Sequence, residues 1–278
     1  FLTHHKTGTH LMLQLCNLTA QFLSKGAEQC HWCYRALAVL PDGRVRCPED
    51  NDVSHGPFRG TAGRFTLVSA VDAPDLRTLE RWAPDYRAVH MVRDPVDMLV
   101  SDYQYEARLH GPGSQVTYDS TTSSQLWGQG FTIQDRLRSV SAVLSHFVDH
   151  MCRVQGATAG SPRTKTMDLQ LFTDDFDAAA KELYSFMVGS SYKRMGQLLN
   201  KARRYDKKRQ TAAEKKREYV SDPSAAPAVK SAVMKMVEAG DEFIVASTSC
   251  EGAAAARPWA QKLLHFGNAK PGVYHTNK

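Results

Sequence analysis

Residues 5–10 combine the side chains and the spacing of an anion-binding turn. The segment reads His5-Lys6-Thr7-Gly8-Thr9-His10. It stands between a short apolar opening, Phe1-Leu2, and an amphipathic helical pattern. A strand that enters a tight turn and then a helix directs backbone N–H groups and the positive end of a helix dipole at one place, which favours a phosphate. The lysine adds a mobile positive charge, so we predict a phosphate site at this turn.

The order of lysine and glycine distinguishes this turn from a Walker A loop. In a Walker loop a glycine and four further residues precede Gly-Lys, and Ser or Thr follows. Here Lys6 precedes Gly8, and no glycine lies upstream. The loop is therefore too short to wrap a triphosphate as a Walker loop does. The alternative interpretation is an ordinary strand-to-helix turn with a threonine as the helix cap.

A second strand-to-helix junction lies near residue 93. Residues 86–92 are mostly apolar and typical of a strand, and Arg93-Asp94-Pro95 follows them. Asp94 suits the capping position of a helix, and Pro95 suits its first residue. Arg93 and Ser101 would then lie beyond the carboxyl end of the strand, at the edge where open α/β sheets bind ligands.

Together the two motifs resemble the phosphate sites of the sulfotransferases that use PAPS (3′-phosphoadenosine 5′-phosphosulfate). Residues 6–9 are similar to the 5′-phosphosulfate loop of that family. Arg93 and the following Ser101 are similar to the arginine and serine that hold the 3′-phosphate. The resemblance spans about residues 1–190. It implies PAPS as the co-substrate and no metal.

The resemblance also implies roles for the residues of the first loop. Lys6 would neutralise the charge that builds up on the oxygen between sulfur and the 5′-phosphate, which makes it the predicted catalytic residue. Thr7, Gly8 and Thr9 would bind that phosphate. His10 departs from the Thr or Ser that is common in the family. It either donates a hydrogen bond to the cofactor or simply begins the helix.

Transfer to an alcohol requires a general base, because a neutral hydroxyl is a poor nucleophile toward sulfur. In many relatives this base is a histidine two residues before a proline. Asp72 occupies that position before Pro74, and it is interpreted either as the base or as the cap of the next helix. His55 is the rival base. His90 lies inside an apolar strand and is predicted to be a core histidine.

Two other function classes stay open at this point. A small-molecule kinase would bind ATP at the same turn, but it needs a Walker loop and a Mg²⁺-binding acid, which we do not find in the sequence. A non-catalytic module would bind polyanions through the basic stretch at residues 201–218, which has nine basic and three acidic residues. That stretch is otherwise typical of a solvated helix face, a mobile loop or a flap over the cofactor. Its single aromatic residue, Tyr205, argues against a nucleic-acid partner.

Alternating strand and helix patterns predict the fold class and position both motifs. They indicate an α/β protein with a central parallel sheet and helices on both faces, and the resemblance implies a core like that of the P-loop NTPases. We expect strands over residues 34–40, 65–71, 86–92 and 164–169, and helices over 74–82, 95–109, 132–154 and 175–187.

We expect one sulfotransferase domain of residues 1–278, with both motifs in 1–190 and a helical, basic part in 191–278. Loops at residues 41–64 and 111–131 would line the acceptor site. The polar character of the second loop favours a polar acceptor, either a small molecule or a carbohydrate.

Composition sets limits on the compartment and on metal binding. The sequence has 42% hydrophobic and 23% charged residues, as ordinary globular proteins do, and no apolar run of about eighteen residues that would span a membrane. Because it opens at Phe1, within a predicted strand, we expect upstream residues that could include a membrane anchor. The Golgi lumen and the cytoplasm both stay open. The six cysteines contain a single Cys-x-x-Cys pair, which favours a local disulfide or buried thiols over zinc.

Overall fold

The structure is a computed structural model that describes residues 1–4, 6–23, 31–33, 38–39, 44–46, 54–57, 68–71, 86–110, 131–211 and 225–256. The chain divides into two compact units. The first comprises Phe1–Arg93 and His150–Glu218, and the second comprises Asp94–Asp149 and Tyr219–Lys278. Neither boundary coincides with residue 190, and the single domain of residues 1–278 stays a prediction.

The first unit contains a five-stranded sheet in which every neighbouring pair of strands is parallel. Numbered in chain order over the whole protein, its strands are β1 (Leu2–Thr3), β2 (His31–Cys33), β6 (Val68–Val71), β7 (Ala88–Val92) and β8 (Thr164–Asp168). The spatial order is β2-β6-β1-β7-β8, so β1 lies at the centre. The prediction of an α/β fold with a central parallel sheet is confirmed.

A second, antiparallel sheet occupies part of the segment that was expected to be a loop. Its strands are β3 (Ala38–Val39), β4 (Arg44–Arg46) and β5 (Ser54–Pro57), in that order. The expectation of a loop over residues 41–64 was therefore wrong for β4 and β5. A strand of three or four residues shows barely one alternation of polar and apolar side chains, so periodicity cannot reveal it beside the glycines and prolines.

In the described residues, the first unit contains helices after Gly8 and over about 175–187, as predicted, and two short helices for which no bounds were predicted. They are α1 (Thr9–Leu23), α4 (Leu169–Asp174), α5 (Phe176–Val188) and α6 (Met195–Ala202), followed by a 3₁₀ turn at Arg203–Tyr205. The helix α3 (Ile133–Thr158) contributes its end, from His150 onward, to this unit. The α5 helix begins after its cap Asp175, whose carboxylate accepts from the amide of Ala178. The helix predicted over residues 74–82 lies outside the described residues.

The parallel sheet is buried on both faces at β7. Successive strand residues face opposite sides of a sheet, and residues 88–91 are all buried. On one face Val89 and Met91 join a single apolar cluster with the buried sides of α1 and α5, including Met12, Leu15, Leu18, Phe22, Ala179, Ala180 and Leu183. On the other face His90 contacts His4, which follows β1. Burial on both sides is typical of parallel sheets in α/β proteins.

The second unit is helical in the residues that the structure describes. It contains α2 (Pro95–His110), the first part of α3, α7 (Ala226–Glu238) and α8 (Glu242–Thr248). The α2 helix begins as predicted, because the Asp94 carboxylate accepts from the amide of Asp97 at 3.0 Å. It packs against α7 and α8, and Lys230 of α7 binds the carboxylate of Asp97 at 2.9 Å. Among the described helices, none has the length and apolar character needed to cross a membrane.

Candidate active site

The predicted phosphate loop lies at the switch point of the parallel sheet. From the central strand β1 the chain passes through α1 to β2 on one side of the sheet, whereas β7 lies on the other side and leads to β8. Connections that leave neighbouring strands in opposite directions open a crevice at the carboxyl ends of those strands, where α/β proteins bind ligands. Residues 6–9 follow β1 and Arg93 follows β7, so the topology brings both motifs to this crevice.

The backbone between β1 and α1 makes a tight turn with two left-handed residues. Lys6 has φ 64° and Gly8 has φ 94°. The amide of Thr7 donates to the carbonyl of His4 at 3.1 Å, and α1 begins at Thr9. A left-handed conformation costs a residue with a side chain about 1–2 kcal/mol, and such strain is concentrated at functional sites.

The left-handed backbone at Gly8 favours glycine, and the side chain of Leu169 packs close to it. The positive φ of Gly8 is unfavourable for residues with a side chain. In addition, a Cβ at Gly8 would lie 2.8 Å from Cδ1 of Leu169, which is closer than van der Waals contact permits. Leu169 is the first residue of α4, directly after β8. Leu169, which follows β8, therefore lies against Gly8 of the phosphate loop.

The threonine hydroxyls of the loop are directed at the strand that precedes it. The Oγ1 atoms of Thr7 and Thr9 donate to the carbonyl of His4 at 3.0 and 3.1 Å. The amide of His4 in turn donates to Oγ1 of Thr7 at 2.8 Å. In this arrangement the hydroxyls stabilise the turn. The first amides of α1, which lack intrahelical carbonyl partners as in any α-helix, and the Lys6 side chain are then the groups suited to an anion. The hydroxyl contacts with phosphate stay predictions.

Arg93 joins the second motif to the first. Its guanidinium Nη1 donates to the carbonyl oxygen of Lys6 at 3.1 Å, although the two residues are 87 positions apart. Both belong to the first unit. A guanidinium has five N–H donors, and this contact uses one of them. The structure thus brings together the two cationic residues that the sequence predicted to act on one nucleotide.

Two other predicted cofactor residues lie on the helices α1 and α2. His10 is the second residue of α1, and its side chain is exposed. Ser101 lies on α2, in the second unit, and is half-buried. The phosphate contacts of both residues stay predictions.

Two buried histidine rings, those of His4 and His90, and the half-buried ring of His150 pack together away from the apolar cluster. The Nε2 atoms of His4 and His90 are 2.8 Å apart, and the ring of His150 lies 5.2 Å from that of His4 between centroids. Burial, with a smaller contribution from His150, lowers the pKa of His90 from 6.5 to about 4. His90 is therefore neutral at pH 7, and its prediction as a core histidine is confirmed, since its exposed fraction is 0%.

The two candidate bases are located only in part. Asp72 lies outside the described residues, and the strand before it, β6, ends at Val71 opposite Thr3 of β1. His55 lies on β5, where its backbone pairs with Val45 of β4. The structure describes the backbone of His55 but not its side chain. The choice between the two stays open.

The basic stretch is held against α5 where the structure describes it. Arg203 and Arg209 both bind the carboxylate of Asp177, at 3.0 and 3.1 Å. Lys208 donates to the carbonyl of Asp174 at 2.8 Å. These partly exposed pairs fit the interpretation as a solvated surface. Residues 212–218, and with them a possible flap, lie outside the described residues.

Cysteine chemistry is partly resolved. Cys16, Cys152 and Cys250 each take part in a disulfide, so disulfides rather than free thiols occur at these positions. The side chains of the Cys30 and Cys33 pair lie outside the described residues. Within the described part of the chain, no group of three histidine, cysteine or acidic side chains could hold a metal ion.

Comparison with known families identifies the family of this chain. The family model described as the sulfotransferase domain matches residues 1–225. The chain belongs to the sulfotransferase family. Both motifs of this sulfotransferase-family chain lie within the matched residues, as the resemblance predicted. No curated protein matches the sequence.

One solved structure similar to this sulfotransferase-family chain is a crystal structure of mouse sulfotransferase SULT7A1 complexed with PAP. The identity is 12%, the match covers 76% of this chain and 65% of the mouse chain, and the TM-score is 0.37. The chain thus spans slightly less than two thirds of the mouse protein's length in that structure.

Sequence reasoning missed two residues that shape the loop of this sulfotransferase-family protein. His4 accepts three hydrogen bonds from the turn through its carbonyl, and Leu169 closes the space beside Gly8. The signal for His4 was available, because a histidine directly after a buried strand needs a polar partner. The contact of Leu169 depends on the order of strands in the sheet, and no local pattern reports that order.

Proposed function

We propose that this protein transfers a sulfuryl group from PAPS to a hydroxyl or amine acceptor and releases adenosine 3′,5′-bisphosphate, abbreviated PAP. The observation that carries the proposal is the hydrogen bond from Arg93 to the carbonyl of Lys6. This bond joins a guanidinium, a group suited to bidentate phosphate binding, to the backbone of the lysine in the turn after the central strand. Two cationic groups so arranged suit a nucleotide with phosphates on both its 5′ and 3′ oxygens. Membership of the sulfotransferase family supports the same chemistry.

In the proposed step the acceptor oxygen or nitrogen forms a bond to sulfur while the bond from sulfur to the bridging oxygen breaks. The bridging oxygen leaves on the 5′-phosphate of PAP with the electron pair. The ammonium group of Lys6 neutralises the negative charge that develops there, and the first amides of α1 bind the phosphate. Arg93 holds the 3′-phosphate. Such catalysis consists chiefly of positioning and electrostatic stabilisation.

The proton of the acceptor passes to a carboxylate or an imidazole. We place Asp72 in this role, because it directly follows β6, which ends beside β1 at the same edge of the sheet as the phosphate loop. His55 is the other candidate. A comparison of Asp72→Asn with His55→Gln decides between them, since only loss of the base lowers kcat for an alcohol while PAP affinity is retained.

The disulfides support a lumenal compartment. Disulfide bonds at Cys16, Cys152 and Cys250 are typical of proteins that fold in oxidising environments. We therefore propose that the protein is located in the secretory lumen. Of the two compartments left open by the sequence, the Golgi lumen agrees with this proposal and the cytoplasm does not. The acceptor would then be a polar small molecule or a carbohydrate. Non-reducing peptide mapping of the protein from its native cell tests this placement, and reduced thiols at these three positions would contradict it.

The experiment that tests the function follows labelled sulfate from PAPS into a panel of sugars, phenols and amines. Wild type is expected to label at least one acceptor class, and Lys6→Ala is expected to reduce turnover by a factor on the order of 10²–10³. Lys165→Ala is the matched control, because Lys165 lies on β8 in the same sheet and binds Glu182 at 2.6 Å. Full activity of a folded Lys6→Ala variant would contradict the mechanism.

Ligand-binding measurements on the wild-type protein distinguish the proposed function from its two rivals. PAP should raise the melting temperature, whereas ATP with Mg²⁺ should not, because the turn lacks the length of a Walker loop. The opposite result would favour the small-molecule kinase. Binding of a sulfated polymer without any labelled product in the panel would favour the polyanion-binding module. The family match favours neither of these two alternatives.

A further inference from the structure

The backbone of His4 anchors the phosphate loop. Its carbonyl accepts from the amide of Thr7 at 3.1 Å and from the hydroxyls of Thr7 and Thr9 at 3.0 and 3.1 Å. Its amide donates to the hydroxyl of Thr7 at 2.8 Å. Every one of these bonds depends on the orientation of the two peptide planes that flank His4. A rotation of this residue would therefore displace the turn that carries Lys6.

The side chain of His4 is held from the neighbouring strand. His90 of β7 lies with its Nε2 atom 2.8 Å from the Nε2 atom of His4, and the two rings are nearly perpendicular, at 87°. His150 of α3 lies edge-on to His4 on another side, with the ring planes at 83°. His4 and His90 have exposed fractions of 0%. Close packing and one buried hydrogen bond thus fix the His4 ring.

The hydrogen bond between two neutral imidazoles needs complementary tautomers. One Nε2 atom carries the hydrogen and donates, while the other Nε2 atom accepts and its ring carries the hydrogen on Nδ1. A side chain without a polar atom at this place cannot make the bond. A glutamine can, because its terminal amide both donates and accepts and its length brings it near the position of Nε2.

Strand β7 and the residue that follows it consequently make two hydrogen bonds at this turn. His90 bonds the ring of His4 before the turn, and three residues later Arg93 bonds the carbonyl of Lys6 within it. The first contact acts through the side chain that precedes the turn, and the second acts on the turn itself. Both contacts lie within the first unit.

We propose that His90 is a positioning residue for the phosphate loop and acts through its hydrogen bond to His4. The inference rests on the proposed function, since it assumes that this loop binds the 5′-phosphate of the nucleotide. It assigns His90 no contact with substrate. Loss of the bond should leave the sheet folded but allow His4 to reorient, so that the nucleotide must order the loop when it binds.

The test measures the Kd of PAP by calorimetry, together with the melting temperature, for wild type and three variants. His90→Leu removes the hydrogen bond at similar volume and should weaken PAP binding on the order of tenfold or more. His90→Gln should restore affinity to within about threefold of wild type. Met91→Ala is the matched control, because it lies next to His90 on β7 and faces the apolar cluster. It should lower the melting temperature and leave the Kd unchanged.

The outcomes separate the inference from the function on which it rests. If wild type does not bind PAP, the proposed function is overturned, and the inference with it. If wild type binds PAP and a folded His90→Leu variant binds equally well, the inference alone is overturned. If His90→Leu does not fold, the Kd of PAP for His90→Gln tests the inference. A PAP affinity within about threefold of wild type in a folded His90→Gln variant supports the inference, and a loss on the order of tenfold or more overturns the role of the hydrogen bond.

Discussion

The two faces of strand β7 pack against different kinds of residue. On one face, Val89 and Met91 belong to an apolar cluster that α1 and α5 complete. On the other face, His90 lies between the rings of neighbouring polar residues and bonds His4. Both faces are fully buried, but burial of apolar area stabilises the fold, whereas burial of an imidazole opposes its protonated form.

This difference separates stability from function within one strand. On the apolar face, Val89 and Met91 pack into the cluster that holds the sheet together. On the histidine face, His90 contacts His4, whose backbone anchors the turn. Substitutions on the apolar face should therefore change the free energy of unfolding, and substitutions on the histidine face should change nucleotide affinity as well.

The largest effect on stability is expected from Met91→Ala. The side chain has an exposed fraction of 0%, and removal of a buried methionine side chain typically lowers the free energy of unfolding by about 2–5 kcal/mol. Denaturant unfolding measures the loss. The affinity for PAP of the folded protein should stay that of wild type. A parallel loss of affinity under conditions where the variant is folded would show that the two faces are not separable.

The histidine face should make stability depend on pH. Burial lowers the pKa of His90 from 6.5 to about 4 in the folded state, so the unfolded chain takes up the proton first as pH falls. The free energy of unfolding then decreases by about 3 kcal/mol as the pH falls from 6.5 to about 4, with the pKa of His90 in the unfolded chain taken as 6.5.

The difference in unfolding free energy between wild type and His90→Gln isolates this contribution from the carboxylates, which titrate equally in both proteins. That difference should change across the same pH range and level off above pH 6.5. A difference that does not vary with pH would contradict the assignment of a neutral, buried His90.

A smaller effect is expected where the loop meets α4. Gly8→Ala places a Cβ 2.8 Å from Leu169 at a backbone φ of 94°, and the strain should lower the free energy of unfolding by about 1–3 kcal/mol. It should also weaken PAP binding, which Met91→Ala should not. Gly156→Ala is the control, because Gly156 lies within α3 and a Cβ there meets no atom within 4 Å. The control should be neutral or slightly stabilising.

The sequence predicted the long elements and the two motifs well. The helix patterns after Gly8, Asp94 and Asp175 have clear start signals, and the structure begins α1, α2 and α5 at those places. Local signals suffice there because capping and helical periodicity act over a few residues. The short strands β4 and β5 were not predicted, since so few residues do not establish an alternation of polar and apolar side chains.

The candidate site could be predicted only as separate pieces. Residue types and spacing indicated phosphate binding at Lys6 and at Arg93, but the hydrogen bond between them follows from the position of β1 beside β7. The pairing of His4 with His90 has the same origin. Contacts across a sheet depend on strand order and register, and the sequence pattern of one strand does not contain that information.

The central claim is that the loop at Lys6 and the arginine at the end of β7 bind one nucleotide through its 5′- and 3′-phosphates. Calorimetry with PAP and adenosine 5′-monophosphate tests it, using wild type, Arg93→Ala and Arg87→Ala. Arg87 is the matched control, because it precedes β7 and donates to the carbonyl of Phe186 at 2.7 Å.

Wild type and Arg87→Ala should prefer PAP by a factor on the order of ten or more, since a charged hydrogen-bonded pair is worth about 1.5–3 kcal/mol. In Arg93→Ala that preference should largely disappear. A folded wild type that binds both nucleotides equally, or an Arg93→Ala variant that keeps the full preference for PAP, would contradict the account.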